Sequence, residues 1–214
     1  MNYCKVAVVQ QSLNLWIKGA RPKTLPAAVA PVLVGSACAS LESSVAQVWG
    51  NSFLALIVSL ALQVAVNFAN DYSDGIRGTD LDRVGPMRLV GSGAKQPIEV
   101  KRAALVAFSI AAVFGLWLAA VTNWWLLLVG VACIAAGWFY TGGSKPYGYY
   151  GFGELFVFIF FGVVATTGTT FVITQTVTPT SIIASIAVGC LACALLVINN
   201  LRDIPGDTLA GKRT

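Results

Sequence analysis

Long, uninterrupted apolar blocks constrain the fold of this chain more than any other feature. Hydrophobic residues fill 57% of its 214 positions and charged residues only 11%, whereas a soluble domain carries about 25% charged residues. A helix needs about 20 apolar residues to cross a bilayer core, and the blocks lack the period-two alternation of barrel strands. They predict an all-α, multi-pass transmembrane helical bundle. The six predicted spans are Thr24–Leu41, Phe53–Asn70, Ala103–Thr122, Trp124–Tyr140, Leu155–Ile173 and Ser181–Asn200.

Positive charges fall on one side of the predicted spans. All 14 lysines and arginines precede span one, follow span six, or lie between spans two and three or four and five. The positive-inside rule makes that side cytoplasmic. The protein is therefore expected in the cell inner (plasma) membrane with a cytoplasmic N-terminus. The net charge of +5 indicates membrane orientation, and no nucleic-acid partner is expected.

Several kinds of site are excluded by composition. The chain has no histidine, which rules out the common zinc sites and a histidine-based catalytic triad. Its five cysteines are scattered, and Cys190 and Cys193 lie inside an apolar block, where packing is the favoured interpretation. The segment before the first span lacks a signal-peptide cleavage site. Its weak amphipathicity predicts a helix along the membrane interface.

Two acidic segments stand at the ends of apolar blocks. Six of the nine acidic residues lie in or beside Asn67–Asp80 and Asn199–Asp207. Polar residues recur there at helical spacing and so share a face, which inside a span should line a cavity. The Pro205-Gly206 pair predicts that the second helix ends before its last aspartate. The polar positions are Gln63, Asn67, Asn70, Asp71 and Asp74, then Asn199, Asn200, Asp203 and Asp207.

The oxygen atoms of these side chains are hard ligands of the kind that Mg²⁺ prefers, with water and substrate phosphate completing its shell. Cations close by in sequence can neutralise a diphosphate. The two segments together predict a site for Mg²⁺ and a phosphorylated ligand. For a single residue such as Asp80 or Asp82, helix capping or plain solvation is an equally good interpretation. The neighbouring cations are Arg77, Arg83, Arg88, Arg202, Lys212 and Arg213.

Two more segments are expected on the cytoplasmic side. The stretch Gly75–Gly93 contains five glycines and is predicted to be a long loop. In Tyr140–Gly151, the candidate site residue is Tyr140, at the end of its span. Tyr149 and Tyr150 fit an aromatic belt at the membrane interface.

Taken together, these residues resemble the UbiA superfamily of intramembrane aromatic prenyltransferases. The paired acidic motifs carry the resemblance, with Asn67, Asp71 and Asp74 in the first and Asp203 and Asp207 in the second. Further matches run from about Trp16 to the last residue and resemble the branch that prenylates 1,4-dihydroxy-2-naphthoate on the way to menaquinone. They are Ala20-Arg21-Pro22-Lys23-Thr24-Leu25-Pro26, Asn70–Asp74, Asp82–Arg88, Tyr140–Gly143, Pro146–Tyr149 and Asn199–Asp203.

The resemblance implies a helical bundle around a cavity that opens toward lipid. It also implies Mg²⁺-dependent transfer of a polyprenyl group from polyprenyl diphosphate to 1,4-dihydroxy-2-naphthoate, with release of diphosphate and CO₂, to give demethylmenaquinone. The implied catalytic residues are Asp71, Asp74, Asp203, Asp207 and Tyr140, and the implied metal ligands are Asn67, Asp71, Asp74, Asp80, Asp203 and Asp207. The implied diphosphate ligands are Asn67, Asn70, Arg77, Arg88, Asn199, Asn200, Arg202 and Lys212, and the aromatic acceptor would meet Arg21, Lys23, Thr141 and Tyr147.

Two features depart from the family pattern. The family often has a third aspartate four residues after the second, where this chain has Gly78, and Asp80 follows two residues later. Family members have about nine helices, whereas six are predicted here. We therefore expect one transmembrane prenyltransferase domain over residues 1–214, incomplete at its C-terminus.

Other functions remain open on the sequence alone. The same chemistry could serve another aromatic acceptor such as 4-hydroxybenzoate. A small membrane transporter could line its path with intramembrane asparagine and aspartate, although the acidic residues cluster on one side and no inverted repeat is evident. The chain could also be an inactive fragment that retains the substrate-binding half.

Overall fold

The computed structural model describes residues 2–43, 45–79 and 85–214, and within these ranges the regular structure is entirely helical. Short 3₁₀ turns at Pro22–Thr24 and Tyr147–Tyr150 join some of the helices, and a π-helix at Phe158–Val164 connects α6 to α7. The α-helices are α1 (Asn2–Ala20), α2 (Pro26–Ser40), α3 (Val45–Arg77), α4 (Pro97–Val121), α5 (Leu126–Phe139), α6 (Gly153–Val157), α7 (Ala165–Thr174) and α8 (Pro179–Leu209).

All six predicted apolar blocks are helical, which confirms the all-α membrane-protein architecture. In the described part of the chain, four helical segments are long and apolar enough to cross a membrane, namely Val48–Arg77, Pro97–Val121, Gly153–Thr174 and Pro179–Leu209. The prediction of six simple spans is wrong in two places. The first block is the 15-residue α2, which makes a fifth span only when joined to Gln10–Thr24 across a 50° bend. The 14-residue α5 is about 21 Å long, shorter than a hydrocarbon core of about 30 Å.

Helix α3 lies at the centre of the bundle, with its longest packed interface against α4 and further contacts to α1, α2, α5 and α7. One buried cluster joins α3 and α4 to the loop between them through Phe68, Leu89 and Phe108. Small residues allow the closest helix contacts, as is usual in membranes. A side chain on Gly162 would come within 2.5 Å of the Gly189 backbone on α8.

Both helices that carry the acidic segments extend further than the sequence predicts. Helix α3 continues to Arg77, so the predicted loop begins three residues later than Gly75. The expected end of α8 at Pro205-Gly206 is wrong, because the helix runs to Leu209 with Pro205 inside it. Proline removes one main-chain donor, and at the exposed Pro205 the carbonyl it would have paired with can be satisfied by water or headgroups.

Candidate active site

A cavity of about 450 Å³ lies among the helices. The ends of α3, α5 and α8 and the connections on that side of the bundle form its polar mouth. Apolar side chains of α2 to α8 line the remainder. Of the residues predicted for the site, those that line the cavity are Arg21, Lys23, Asn67, Asn70, Asp74, Arg88, Tyr140, Thr141, Tyr147, Asn199, Asn200, Arg202, Asp203, Asp207 and Lys212.

Asp74 is the centre of the polar mouth. Its carboxylate is buried and accepts a hydrogen bond of 2.7 Å from the hydroxyl of Tyr149. The ammonium group of Lys212 donates to its other oxygen at 3.0 Å, and the Arg88 guanidinium lies 3.6 Å from that same oxygen. Burial and the adjacent carboxylate raise the pKa of the Tyr149 phenol, so this group keeps its proton and remains a donor.

Lys212 connects the two acidic segments. Its ammonium nitrogen lies 3.0 Å from Asp74 and 3.8 Å from Asp207, and it sits 4.7 Å from the centre of the Tyr149 ring. The hydroxyl of Thr214 donates to the second oxygen of Asp207 at 2.6 Å. The carboxylates at the ends of α3 and α8 are therefore close enough to share one cation.

Asp71 is placed differently from its neighbour. Its carboxylate is fully buried and does not line the cavity. One oxygen accepts from the backbone N–H of Leu89 at 2.8 Å, and the other from the N–H of Val90 at 3.0 Å. Both oxygens therefore bind the loop that follows α3. Asp80 lies outside the described residues.

The asparagines of the first segment are held by hydrogen bonds at the cavity wall. Asn67 donates to the carbonyl of Ala20 and the hydroxyl of Thr24, both at 2.9 Å. The carbonyl oxygen of Asn70 accepts from the Thr141 hydroxyl at 2.8 Å. These contacts attach α3 to the connections before α2 and after α5, and they fix the direction of both amides.

The second segment is held by shorter-range contacts. Arg202 binds the two carboxylate oxygens of the adjacent Asp203 through Nε at 2.9 Å and Nη2 at 3.1 Å. The amide of Asn200 donates at 2.9 Å to the carboxylate of Glu154, at the start of α6. Asn199 lies beside these residues on the cavity wall.

Arg77 does not point into the main cavity. Its guanidinium donates to the backbone carbonyls of Thr141 and Gly143 and lies 5.3 Å from the centre of the Tyr149 ring. It therefore secures the connection after α5, a role that sequence spacing did not indicate. Arg21 and Lys23, in contrast, line the cavity, and their predicted contact with the aromatic acceptor stays a prediction.

Aromatic side chains form one wall next to the polar mouth. The rings of Tyr140 and Tyr147 meet edge to face with centroids 5.5 Å apart, and Tyr147 stacks on Phe156 at 3.9 Å. The hydroxyl of Tyr147 donates to the carbonyl of Ala136 at 2.9 Å. Aromatic faces attract cations, so this wall suits a positively charged group placed between the mouth and the apolar part.

The donor chemistry fits a hard cation, although no ready-made cage exists. In the described ranges, no three acidic or cysteine side chains converge closely enough to hold a metal by themselves. Asp74 and Asp207 nevertheless already flank one positive charge, the Lys212 ammonium. Mg²⁺ usually takes only one or two carboxylates and completes its shell with water and phosphate oxygens, so an incomplete protein cage is compatible with it.

Sequence patterns missed Tyr149 as a site residue and assigned it to the interfacial belt. Its position two residues after Tyr147, in a segment already suspected, was the only available signal. They also missed three glycines on the cavity wall, Gly115, Gly130 and Gly168. A Cβ atom at any of them would meet no atom within 4 Å, so each leaves open space that no sequence motif could indicate.

Comparison with known proteins places these observations in a family. The model of the UbiA prenyltransferase family matches residues 28–214. A 1,4-dihydroxy-2-naphthoate octaprenyltransferase of Mycobacterium tuberculosis is 53% identical over 203 residues, which cover 95% of this chain and 69% of that protein. The Escherichia coli protein of the same name is 39% identical over 93% of this chain and 66% of its own length. A 2-carboxy-1,4-naphthoquinone phytyltransferase of Synechocystis is 27% identical over 94% of this chain and 64% of its own.

Proposed function

The chain belongs to the UbiA prenyltransferase family, and from that premise we propose that it transfers a polyprenyl group to 1,4-dihydroxy-2-naphthoate in menaquinone biosynthesis. The donor is a polyprenyl diphosphate. Its allylic C–O bond breaks, a C–C bond to the naphthoate ring forms, and diphosphate and CO₂ leave to give the hydroquinone, demethylmenaquinol. The acceptor is the one named for the relatives of Mycobacterium tuberculosis and Escherichia coli.

One observation carries this proposal: a charged mouth and an apolar body form a single continuous cavity. A polyprenyl diphosphate has the matching division into a highly charged head and an apolar tail. A transporter of small polar solutes would need polar groups along its whole path, whereas glycines, valines and phenylalanines dominate below the mouth. The hydroxyls of Ser59 and Thr169 there donate to backbone carbonyls of the helices.

Prenyltransferases of this family are generally metal-dependent, and we assign the metal of this chain to Mg²⁺. Asn70, Asp74, Asp203 and Asp207 would hold it, because these oxygen donors line the mouth from both acidic segments. When bound, Mg²⁺ supplies positive charge that stabilises the diphosphate as a leaving group. Arg88 and Lys212 lie beside Asp74 and contact the same phosphates.

The remaining mouth residues bind and orient the acceptor. Arg21 and Lys23 lie across the cavity wall and attract the naphthoate carboxylate, and Thr141 holds Asn70 in place. Tyr140 and Tyr147 present aromatic surface where the allylic carbon gains positive charge. The apolar walls exclude water, which would otherwise capture that carbon.

We also infer the placement of the chain in the membrane. The protein spans the bacterial inner membrane with its N-terminus and the cavity mouth in the cytoplasm. The supporting argument is that every positively charged loop lies on the side of the mouth. Both water-soluble participants, Mg²⁺ and the released diphosphate, then exchange directly with the cytoplasm.

The test is product analysis with the purified chain in lipid nanodiscs. Octaprenyl diphosphate, Mg²⁺ and 1,4-dihydroxy-2-naphthoate should give demethylmenaquinol, which is detected as demethylmenaquinone after oxidation by air, and 4-hydroxybenzoate in place of the naphthoate should give no product. Asp74→Asn and Asp207→Asn should abolish transfer, while Glu99→Gln, a carboxylate change far from the cavity wall, should not. If only 4-hydroxybenzoate gave product, it would be the acceptor in place of the naphthoate. Transfer by both aspartate variants would overturn the metal assignment.

A second experiment tests whether the apolar part of the cavity is the pocket for the polyprenyl tail. Gly130→Leu and Gly168→Leu add volume where the cavity is open, so they should lower kcat/KM for an octaprenyl donor about tenfold and spare a short donor. Gly50→Leu is the matched control, since Gly50 is also helical, a Cβ atom there would meet no atom within 4 Å, and it does not line the cavity. Equal losses for long and short donors would contradict this location of the tail.

A further inference from the structure

The contacts of Asp71 separate it from the other aspartates of the site. Its two oxygens accept from two consecutive backbone amides, those of Leu89 and Val90, at 2.8 and 3.0 Å. The carboxylate is fully buried and away from the cavity wall. A buried carboxylate with both oxygens hydrogen-bonded to backbone N–H groups is well satisfied and has little reason to turn toward a metal.

The loop bound by Asp71 is a compact turn with its own supports. The carbonyl of Leu89 accepts from the N–H of Lys95 at 3.0 Å, and the carbonyl of Val90 from the N–H of Gly93 at 2.9 Å. The turn also packs closely against the helices. A Cβ atom on Gly75 would lie 2.4 Å from Val90 Cγ1, so only glycine at position 75 lets the turn seat against α3.

Arg88 immediately precedes the two amides that Asp71 holds. Its side chain is 6% exposed, lies 3.6 Å from the Asp74 carboxylate, and lines the mouth of the cavity. Fixing the backbone at Leu89 and Val90 fixes the point from which this side chain extends. The direction of the Arg88 guanidinium therefore depends on a carboxylate that never touches the cavity.

We infer that Asp71 is a positioning residue: it clamps the 88–95 turn onto α3 and so sets Arg88 in place to bind the diphosphate of the donor. The inference rests on the proposed function for the identity of the ligand, but the clamp itself does not. The family resemblance of the sequence implies that Asp71 binds the metal. The inference assigns it the positioning role instead. Within the first acidic segment, Asp74 lines the cavity, whereas Asp71 holds the turn that carries Arg88.

Two variants loosen the clamp in different ways. Asp71→Asn replaces one acceptor oxygen by an NH₂ group that faces a backbone N–H, so one hydrogen bond is lost and two donors meet. Gly75→Ala keeps every carboxylate and displaces Val90 by steric contact alone. The control is Glu99→Gln, because Glu99 accepts the N–H of Gln96 at 2.9 Å at the far, exposed end of the same loop.

The first measurement is hydrogen exchange of the full chain in nanodiscs without substrate. Asp71→Asn and Gly75→Ala should both speed exchange of the amides of Leu89 and Val90, and Glu99→Gln should leave these two amides protected. Unchanged protection in Asp71→Asn would overturn the clamp. This result is independent of catalysis, so it stands even if the chain proves to bind no diphosphate and the proposed function fails.

The second measurement is calorimetric binding of inorganic diphosphate at saturating Mg²⁺. Both loosened variants should bind about tenfold more weakly or worse, with an unchanged Mg²⁺ concentration for half-maximal binding. In an Arg88→Ala background, Asp71→Asn should have little further effect, because it acts through that side chain. If Asp71→Asn raised the Mg²⁺ requirement, or if its loss of diphosphate affinity added fully to that of Arg88→Ala, we would conclude that Asp71 binds the metal.

Discussion

The two acidic segments use the same residue types, yet the fold treats them differently. In the first, the residues Asp71 and Asp74 are at most 1% exposed and receive hydrogen bonds from distant parts of the chain. In the second, the side chains of Asp203 and Asp207 are 10% and 16% exposed, and Asp203 pairs with its neighbour in sequence, Arg202, which is 39% exposed. Similar motifs can thus produce a preorganised scaffold at one helix end and an accessible surface at the other.

The cause lies in the position of the two helices. Helix α3 packs against five other helices, and the 88–95 turn and the C-terminal residues cover its end. Helix α8 packs on the π-helix and on α2, α7 and α6, but around its acidic end Leu201, Arg202 and Ile204 are exposed. Charges that the fold buries need fixed partners, whereas partly exposed charges remain free to rearrange around a ligand.

The largest expected effect separates Asp74 from Asp203. Asp74→Asn removes the buried carboxylate beside the ammonium of Lys212 and the guanidinium of Arg88, so we expect a loss of about 3–5 kcal/mol in unfolding free energy. Asp203→Asn affects a partly exposed local pair and should cost about 1 kcal/mol or less. Thermal unfolding in one detergent, without metal, measures both. Equal losses would show that the two segments are alike in stability.

Lys212→Met tests the link between the segments. Asp74 keeps its contacts with Arg88 and Tyr149 but loses a charged hydrogen bond. The free energy of unfolding should therefore fall by about 2 kcal/mol. Because the ammonium sits between Asp74 and Asp207, its removal should also increase the stabilisation that added Mg²⁺ provides. The measurement is the midpoint temperature with and without Mg²⁺, and Ca²⁺ serves as the comparison ion. A smaller gain from Mg²⁺ than in the unaltered chain would contradict a shared cation position.

Tyr149→Phe removes one buried hydrogen bond to Asp74 and should cost about 1.5 kcal/mol at neutral pH. The pKa of Tyr149 is raised in the folded state, first by burial and then by the Asp74 carboxylate. The folded chain therefore holds this proton more tightly than the unfolded chain, and its stabilising effect is lost as the pH rises above about 10, the unfolded value. Stability curves between neutral and strongly alkaline pH should fall less steeply for Tyr149→Phe. Parallel curves would exclude the Asp74 contact as the cause.

The sequence predicted what depends on residue type and period. Apolar block length identified the helices, and helical spacing placed Asn70, Asp74, Asp203 and Asp207 on the wall of one cavity. It could not separate Asp71 from Asp74, because both stand on the same polar stripe and only the docked turn decides which one is covered. The sequence also could not predict the pocket for the polyprenyl tail, since Gly130 and Gly168 contribute empty space and no chemical group.

The smallest expected effect concerns Arg202, and it tests whether the second segment is open to a ligand. Arg202→Lys keeps the charge but loses the two-point contact with Asp203, so the stability of the free protein should change by less than about 1 kcal/mol. If Arg202 leaves Asp203 to bind the diphosphate, the variant should instead show a raised KM for the polyprenyl donor. The matched comparison is Arg77→Lys, since Arg77 binds backbone carbonyls behind the cavity and should affect stability more than KM. The opposite pattern, with Arg202 affecting stability and Arg77 affecting KM, would mean that the accessible surface of the site lies on α3 after all.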